Sequence, residues 1–324
     1  MRWGYTCSSE EFEASAMARH AVKAEEYGFD FVTVSDHFHP WVSSQGHSPF
    51  AWSTVAAIAA LTDRIEIGTG VTCPLIRVHP AIVAQAAATS AELSDGRFFL
   101  GIGTGEALNE HITGQRWPPI GVRQDMLVEA IDIMRRLWSG DTVDYRGNFY
   151  SVENAHLFSS PEVAPSVIWA AGGESSANLA GKHADGLWAT SPAPKTVTAY
   201  RDAGGKGDVI GQLTICFDND RERAIETALE IWPNAAIPGQ LSQDLPTFTH
   251  FEQAARLVTR DTIAEEILCG KDVAAVVEAV RTYVDAGFTK LHFHQVGPRQ
   301  VEFLNWWRDE LADELAAIGS SEKG

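Results

Sequence analysis

The feature that most constrains the fold is the regular alternation of short apolar segments with longer amphipathic ones. Eight segments are short, rich in Val, Ile, Phe and Trp, and mostly apolar on both faces, as strands of a covered parallel sheet are. They are Trp3–Tyr5, Asp30–Val34, Ile65–Gly70, Phe98–Ile102, Val167–Ala171, Gly186–Ala189, Ile210–Phe217 and Lys290–His294. Eight such strands separated by helical segments favour an α/β fold of the (β/α)8 TIM-barrel type over an open sheet.

Amphipathic segments between these strands predict the helices. They are Ser8–Tyr27, Pro49–Thr62, Pro80–Leu93, Arg123–Trp138, Ser175–Lys182, Arg221–Trp232, Asp272–Ala286 and Pro298–Ala317. The first opens on Ser-Ser-Glu-Glu, a pattern typical of a capped helix start, and Gly28 suits its C-terminal cap. Residues 139–165 predict a short hairpin or extended loop, and residues 233–268 a polar loop running into a helix. We therefore expect one domain over residues 1–324 with these two insertions.

The charge balance limits the possible partners. Asp and Glu number 43 against 25 Lys and Arg, a net charge of −18, which disfavours binding to nucleic acid or to an anionic membrane surface. No apolar run approaches the roughly 18 residues of a membrane span, and the N-terminus lacks the apolar region of a signal peptide. The four cysteines lie far apart, without a CxxC pair. We expect a cytoplasmic protein whose partner is a small molecule.

Polar residues that follow the strands are the candidates for chemistry, since barrel enzymes act at the C-terminal ends of their strands. Asp36 and His37 follow the second strand, and Glu106 follows the fourth. A histidine and a glutamate on opposite sides of a substrate can serve as base and acid; the alternative is a hydrogen-bonded histidine and a surface glutamate. Among His37, His39 and His47 the spacing enforces no third ligand, so we predict no metal site.

Two further patterns have both a structural and a functional interpretation. Gly172 and Gly173 follow the fifth strand and precede a helix, so their N–H groups could bind a phosphate, or they could form a plain tight turn. His292 and His294 alternate on the last strand and therefore share a face. We interpret this pair as structural or as the lining of a pocket.

Four longer segments carry a family resemblance that covers nearly the whole chain. They are TVSDHFHPW at Thr33–Trp41, FLGIGTGEALNE at Phe99–Glu110, MRRLWSGDTVDYRGNFY at Met134–Tyr150 and AAGGESSANLAGKHADGLWATS at Ala170–Ser191. Together they resemble the luciferase-like flavin and deazaflavin oxidoreductases, in the branch that includes deazaflavin-dependent glucose-6-phosphate dehydrogenase. The resemblance implies a TIM-like barrel with insertions, usually dimeric, that binds coenzyme F420, an 8-hydroxy-5-deazaflavin.

The same resemblance implies roles for individual residues. His37 would take the proton of a substrate hydroxyl, Trp41 would steady His37 or the intermediate, and Glu106 would be an acid near the cofactor ring. A hydride would pass from the carbinol carbon to C5 of the deazaflavin. The family's non-prolyl cis peptide corresponds to Gly70–Val71. The implied cofactor-lining residues are Asp36, Gly70, Val71, Thr104, Gly105, Asn109, Ala171, Gly172 and Gly173.

The chain departs from its sugar-phosphate relatives at the substrate. Those enzymes hold the phosphate with two lysines and an arginine, which by alignment fall at Ala193 or Lys195, near Ser242, and near Glu266. At most one of the three cations remains, and each charge-assisted bond to a phosphate contributes about 1.5–3 kcal/mol. We therefore predict a neutral alcohol or the corresponding carbonyl compound as substrate, rather than glucose 6-phosphate.

Three other functions compete with this prediction. They are a sugar-phosphate dehydrogenase of the same branch, an FMN-dependent monooxygenase of the same superfamily, and a non-catalytic flavin-binding protein on a barrel scaffold. The SDHF and TGEALNE motifs favour the deazaflavin enzyme over the monooxygenase. The retention of His37, Trp41 and Glu106 favours catalysis over binding alone.

Overall fold

A closed barrel of parallel strands forms the centre of the computed structural model, which describes residues 1–320. The strands are β1 Arg2–Cys7, β2 Phe31–Val34, β3 Glu66–Thr69, β4 Phe98–Ile102, β5 Val143–Arg146, β6 Ser151–Ala155, β7 Val167–Ala170, β8 Gly186–Ala189, β9 Val209–Cys216, β10 Leu268–Cys269 and β11 Lys290–Gln295. Strands β1, β2, β3, β4, β7, β8, β9 and β11 pair in that order, all parallel, and β11 pairs with β1 to close the barrel. The (β/α)8 prediction is confirmed, and each predicted strand end lies within two residues of the observed one.

Helices surround the barrel. They are α1 Ala14–Glu26, α2 Ala51–Leu61, α3 Pro80–Leu93, α4 Ala107–Glu110, α5 Ile120–Trp138, α6 Glu174–His183, α7 Pro194–Asp202, α8 Arg221–Ile231, α9 Leu241–Asp244, α10 Phe248–Ala255, α11 Arg260–Glu266, α12 Val273–Asp285, α13 Gln300–Trp306 and α14 Ala312–Ser320. The sequence analysis missed α7, which is short and largely polar. The predicted C-terminal helix is divided by a π-helical turn at Trp307–Leu311. Within residues 1–320, no helix has the length and apolar character needed to cross a membrane.

The start of the first predicted helix is wrong. Helix α1 begins at Ala14, and the preceding Glu13 makes no side-chain cap. Ser8, Ser9 and Glu10 lie before it in a loop and are buried. Their side chains bond across the end of the barrel, so tertiary contacts override the local capping pattern. The predicted helix end is correct, since Gly28 has the left-handed φ of +84° that follows a helix terminus.

Both predicted insertions have defined structures. Residues 139–165 contain the antiparallel hairpin of β5 and β6. Residues 233–268 contain α9, α10 and α11 and lead into β10, which pairs with the C-terminal end of β9. An apolar cluster of Val42, Leu108, Ile237 and Phe251 packs this second insertion onto the loops that follow β2 and β4. The insertion therefore forms part of the wall at the C-terminal end of the barrel.

Side chains fill the barrel interior below this end. Phe31, Phe99, Ile168, Trp188 and Ile210, from neighbouring strands, form one buried cluster. Full burial of a large apolar side chain contributes about 1.5–3 kcal/mol. Because the interior is packed, a ligand can enter only at the C-terminal end, where the strand-following loops meet.

Candidate active site

One cavity of about 760 Å³ occupies the C-terminal end of the barrel. Its wall includes Ser35–His37 after β2, Gly103–Glu106 after β4 and Ala170–Ser176 after β7. Every residue predicted for catalysis or cofactor binding lines it. They are Asp36, His37, Trp41, Gly70, Val71, Thr104, Gly105, Glu106, Asn109, Ala171, Gly172 and Gly173. The fold thus brings together four regions that are distant in sequence, residues 36–41, 70–71, 104–109 and 171–173.

A buried carboxylate orients His37. Glu10, in the loop after β1, has its Oε1 2.9 Å from Nδ1 of His37. The other carboxylate oxygen accepts hydrogen bonds from the hydroxyls of Ser8 and Ser35, at 2.9 and 2.7 Å. Because Glu10 occupies the Nδ1 side of the ring, Nε2 is the nitrogen left for a ligand.

The paired charges shift the pKa values of both groups. Burial alone lowers the pKa of His37, but the attraction and hydrogen bond of Glu10, with a contribution from Glu106, outweigh it and raise the pKa to about 9. Burial alone raises the pKa of Glu10, but His37 and the Ser35 hydroxyl outweigh it and lower the pKa to about 2. The raised pKa favours the protonated form of His37, a proton donor, near neutral pH.

Trp41 and Glu106 complete the surroundings of His37. The ring of Trp41 meets that of His37 edge to face, with centroids 5.0 Å apart, and is backed by Phe251 at 5.0 Å. Oε2 of Glu106 lies 3.8 Å from Nε2 of His37, and the Glu106 side chain is 29% exposed. A substrate oxygen at Nε2 would therefore have Trp41 and Glu106 beside it.

Arg77, which the sequence analysis missed, fixes Asp36 beneath His37. Its guanidinium donates to Oδ1 of Asp36 at 2.8 Å and to Oε1 of Glu110 at 3.4 Å. Thr72 donates to the other oxygen of Asp36 at 2.8 Å. The Arg77 side chain is 7% exposed and both carboxylates are 1% exposed. One cation thus compensates two buried anions, which makes Asp36 a structural support of the loop that carries His37.

Replacement of Arg77 tests this support. We expect Arg77→Met to lower the free energy of unfolding by about 3–5 kcal/mol, because two carboxylates would remain buried without their partner. Chemical denaturation followed by circular dichroism measures the change. Arg136→Met is the control, since Arg136 pairs with Asp132 on the exposed face of α5 and should be close to neutral. Equal stability of the two variants would contradict the structural role of Arg77.

A narrow wall beside His37 is built from Gly70, Val71 and Gly103. The Gly70–Val71 peptide is cis, which confirms the correspondence drawn from the sequence. A Cβ at Gly103 would lie 2.8 Å from Cγ2 of Val71, so glycine is required for this close approach. On the same cavity, Asn109 accepts from the N–H groups of Phe38 and His39, while its own Nδ2 is buried and makes no hydrogen bond. This part of the cavity therefore offers a closely packed wall and an amide donor that is unused within residues 1–320.

Gly172 and Gly173 form the opposite end of the cavity, at the start of α6. Apart from the adjoining residues of the chain, no atom of residues 1–320 lies within 4 Å of the position that a Cβ would occupy at either glycine. Ser175 and Ser176, in the first turn of the ten-residue helix α6, also line the cavity. Open backbone at a helix N-terminus favours an anionic group, so the geometry agrees with the phosphate interpretation of this turn.

The predicted substrate-phosphate positions do not converge. Ser242, on α9, lines the cavity, but Lys195 lies in an adjacent depression between α6 and α7, with Glu174 and Asp202. Glu266 is exposed near the end of α11 and does not line the cavity. The structure therefore does not bring these three predicted positions together in one depression. No lysine or arginine of residues 1–320 lines the cavity.

Several lining residues were not identified from the sequence. Glu10 was assigned to the first turn of a helix, and Trp188, Trp232 and Gln212 were not singled out. The sequence interpretation of His292 and His294 left a structural role and a pocket lining open, and His294 does line the cavity. Only its alternation on a strand could have marked it. Over the described range, no three His, Cys, Asp or Glu residues group as a metal site.

Comparisons with known proteins agree with this arrangement. The family model for luciferase-like monooxygenases matches residues 1–290. The chain is 37% identical over 332 residues to the F420-dependent glucose-6-phosphate dehydrogenase of Nocardia farcinica (strain IFM 10152), covering 97% of this chain and 98% of that protein. The protein of the same name from Mycobacterium tuberculosis (strain CDC 1551 / Oshkosh) is 36% identical over 334 residues, covering 98% and 99%.

Solved structures include a neighbour with a different substrate. An F420-dependent secondary alcohol dehydrogenase in complex with an F420-acetone adduct has a TM-score of 0.87 at 30% identity, covering 95% of this chain and 97% of that one. The coenzyme F420-dependent tetrahydromethanopterin reductase of Methanopyrus kandleri has a TM-score of 0.78 at 20% identity, covering 97% and 99%, and shares the fold.

Proposed function

We infer the reaction of this chain from its family: it belongs to the luciferase-like family and is a coenzyme F420-dependent oxidoreductase. We propose that it exchanges a hydride between an alcohol or carbonyl carbon and C5 of the deazaflavin, and that its substrate carries no phosphate. One observation carries the proposal. His37 is held by Glu10 with its Nε2 open to a cavity that contains no lysine or arginine from residues 1–320.

The cavity fits a deazaflavin. Gly70, Val71 and Gly103 provide the close, flat wall that a planar ring needs, and Nδ2 of Asn109 provides a buried donor for a ring oxygen. Gly172 and Gly173 provide open backbone for its phosphate. When bound, the coenzyme supplies the site that accepts or returns the hydride.

His37 carries the proton of the substrate oxygen in this proposal. Its Nδ1 is paired with Glu10, so Nε2 takes the hydroxyl proton during oxidation and gives a proton to the carbonyl oxygen during reduction. Glu10 stabilises the charge on His37 without touching the substrate. Trp41 holds the His37 ring by edge-to-face contact, and Glu106, whose Oε2 lies 3.8 Å from Nε2 of His37, is placed to exchange a proton beside it.

The lining of the substrate end supports an uncharged substrate. Trp41, Trp232, Asn234, Ser242 and Gln243 line the cavity there, and none carries a charge. A phosphate dianion would leave water without a lysine or arginine of residues 1–320 in the cavity lining to compensate its charge, which is costly. A neutral alcohol or ketone incurs no such cost.

Titration of the purified protein with coenzyme F420 and, separately, with FMN tests the cofactor assignment. We expect fluorescence changes that saturate at submicromolar F420 and much weaker binding of FMN. Asn109→Leu should weaken F420 binding at least about tenfold, because it removes the buried donor and also the acceptor of the Phe38 and His39 N–H groups. Tight binding of FMN alone would favour the monooxygenase alternative, and binding of neither would contradict the oxidoreductase.

We also propose a cytoplasmic homodimer. All four cysteines are free thiols, which supports a reducing location. Leu61 on α2 and Ile82 and Leu93 on α3 are 59%, 55% and 48% exposed, and they offer an apolar surface for a second copy. Analytical ultracentrifugation measures the assembly, and a monomer at micromolar concentration would contradict the dimer.

A further inference from the structure

A buried histidine in the cavity makes no hydrogen bond within residues 1–320. His294, near the end of β11, lines the cavity and is only 2% exposed. Neither Nδ1 nor Nε2 of its ring has a hydrogen-bond partner. A buried polar atom that loses its hydrogen bond costs about 1–3 kcal/mol, and such atoms are rare in folded proteins. A group that enters the cavity from outside is the natural partner.

The loop after β1 places one carboxylate near each of two cavity histidines, His37 and His294. Glu10 pairs with His37, and the next residue, Glu11, has its Oε1 3.7 Å from Nε2 of His294. That separation exceeds a hydrogen bond, so Glu11 does not provide a hydrogen-bond partner for His294. The other carboxylate oxygen of Glu11 accepts from the N–H of Gly297 at 2.7 Å. Two consecutive residues, Glu10 and Glu11, thus each place a carboxylate near a histidine that lines the same cavity.

The neighbours of His294 suit a polar but uncharged group. The ring of Trp232 packs against it at a tilt of 75°, with centroids 4.5 Å apart. Gln212, on the adjacent strand β9, and Asn234 line the same cavity. Trp232 offers an apolar surface to C–H groups, while the free ring nitrogens of His294 offer a donor and an acceptor. A hydroxyl group on a short carbon chain matches both features.

We propose that His294 binds a second oxygen of the substrate, so that the substrate is an uncharged polyol or hydroxycarbonyl compound. The inference rests on the proposed function, because it takes the reacting oxygen to lie at Nε2 of His37. A neutral imidazole donates from one nitrogen and accepts at the other, as a hydroxyl also does. His294 is therefore a specificity-determining residue and takes no part in the hydride exchange.

Pairs of substrates that differ only in the second oxygen test its contact with His294. We compare kcat/KM for 2,3-butanediol and 2-butanol, and for the corresponding hydroxyketone and ketone, in the F420-loaded wild type, His294→Leu and His294→Gln. We expect the wild type to prefer the compounds with two oxygens by tenfold or more. His294→Leu should lower that ratio by about 10- to 100-fold, and His294→Gln should retain part of it. A ratio taken within one variant cancels any general loss of activity.

A binding titration tests the contact between His294 and the second substrate oxygen without turnover. Intrinsic tryptophan fluorescence follows 2,3-butanediol binding, and the Kd should rise about tenfold in His294→Leu and less in His294→Gln. The inference is overturned if the wild type prefers 2-butanol. It is also overturned if His294→Leu changes neither the ratio of kcat/KM values nor the Kd, and water is then the partner of His294. Diol binding that depends on His294, without F420-dependent turnover of any of these compounds, contradicts the proposed function instead. Coenzyme F420 titration of each variant verifies its fold.

Discussion

His37→Asn is expected to lower kcat for alcohol oxidation by about 10²- to 10⁴-fold, the usual contribution of a positioned acid–base group. The physical reason is the geometry at Nε2: Glu10 occupies Nδ1, and Nε2 is the nitrogen of His37 left for a substrate oxygen. Asparagine keeps a polar side chain of similar reach but cannot exchange the proton. Steady-state rates at saturating F420, with the F420 Kd measured beside them, separate loss of chemistry from loss of cofactor binding.

His39→Asn is the matched control for this substitution. His39 lies two residues further along the same loop, its Nδ1 contacts the carbonyl oxygen of Leu108 at 3.1 Å, and it does not line the cavity. The kcat of His39→Asn for alcohol oxidation should stay within a few-fold of the wild-type value. If His37→Asn retained more than a tenth of the wild-type kcat, the proton would have to pass through another group.

The pH dependence of the same reaction follows from the charge of His37. Because its pKa is raised to about 9, oxidation should speed up as the pH rises towards 9, while carbonyl reduction should slow down over that range. In Glu10→Gln, burial prevails and the oxidation profile should move to lower pH. The same charge stabilises the fold fully below about pH 6.5, and this contribution is lost as the pH rises through about 9.

Much of the barrel could be predicted because each strand is indicated by a pattern of apolar residues within a few consecutive positions. Each of the eight strands is a short apolar run, and the period of the pattern alone indicates burial on both faces. Helix α7 was missed because Pro-Lys-Thr-Val-Thr-Ala-Tyr-Arg-Asp contains few apolar residues. Val197 and Tyr200 of this helix are buried because the helix lies between β8 and β9 in the fold, and the local sequence does not indicate that burial.

The candidate site was predicted in outline but not in its supporting residues. His37 and Glu106 stand directly after strands, where barrel topology alone places them at the cavity. Glu10 resembled the first turn of a helix, because Ser-Ser-Glu-Glu satisfies a local capping rule. Its true partners, Ser35 and His37, are 25 and 27 residues away, and Arg77 meets Asp36 across 41 residues. Pairings of this kind form only when the barrel closes, so no local sequence pattern predicts them.

Glucose 6-phosphate is expected to be turned over with a kcat/KM at least about 10³-fold below that of the best neutral alcohol. Phosphate recognition needs several charge-assisted bonds of about 1.5–3 kcal/mol each, and among residues 1–320 no lysine or arginine lines the cavity to provide them. Acidic side chains, among them Glu106, add repulsion. F420 reduction followed by absorbance, with glucose 6-phosphate and a panel of neutral alcohols, measures the ratio.

A lysine introduced at Ser242 should partly reverse this discrimination. Ser242 lines the cavity, and its hydroxyl donates to the carbonyl of Gly239 at 2.9 Å, so Ser242→Lys exchanges a minor contact for a cation within the cavity. We expect kcat/KM for glucose 6-phosphate to rise about tenfold or more, with the gain abolished at high salt. Ser160→Lys is the matched control, because Ser160 donates to the carbonyl of Leu157 at the same 2.9 Å but lies outside the cavity. Robust turnover of glucose 6-phosphate by the wild type, or equal gains in both variants, would show that phosphate is bound by groups outside this cavity.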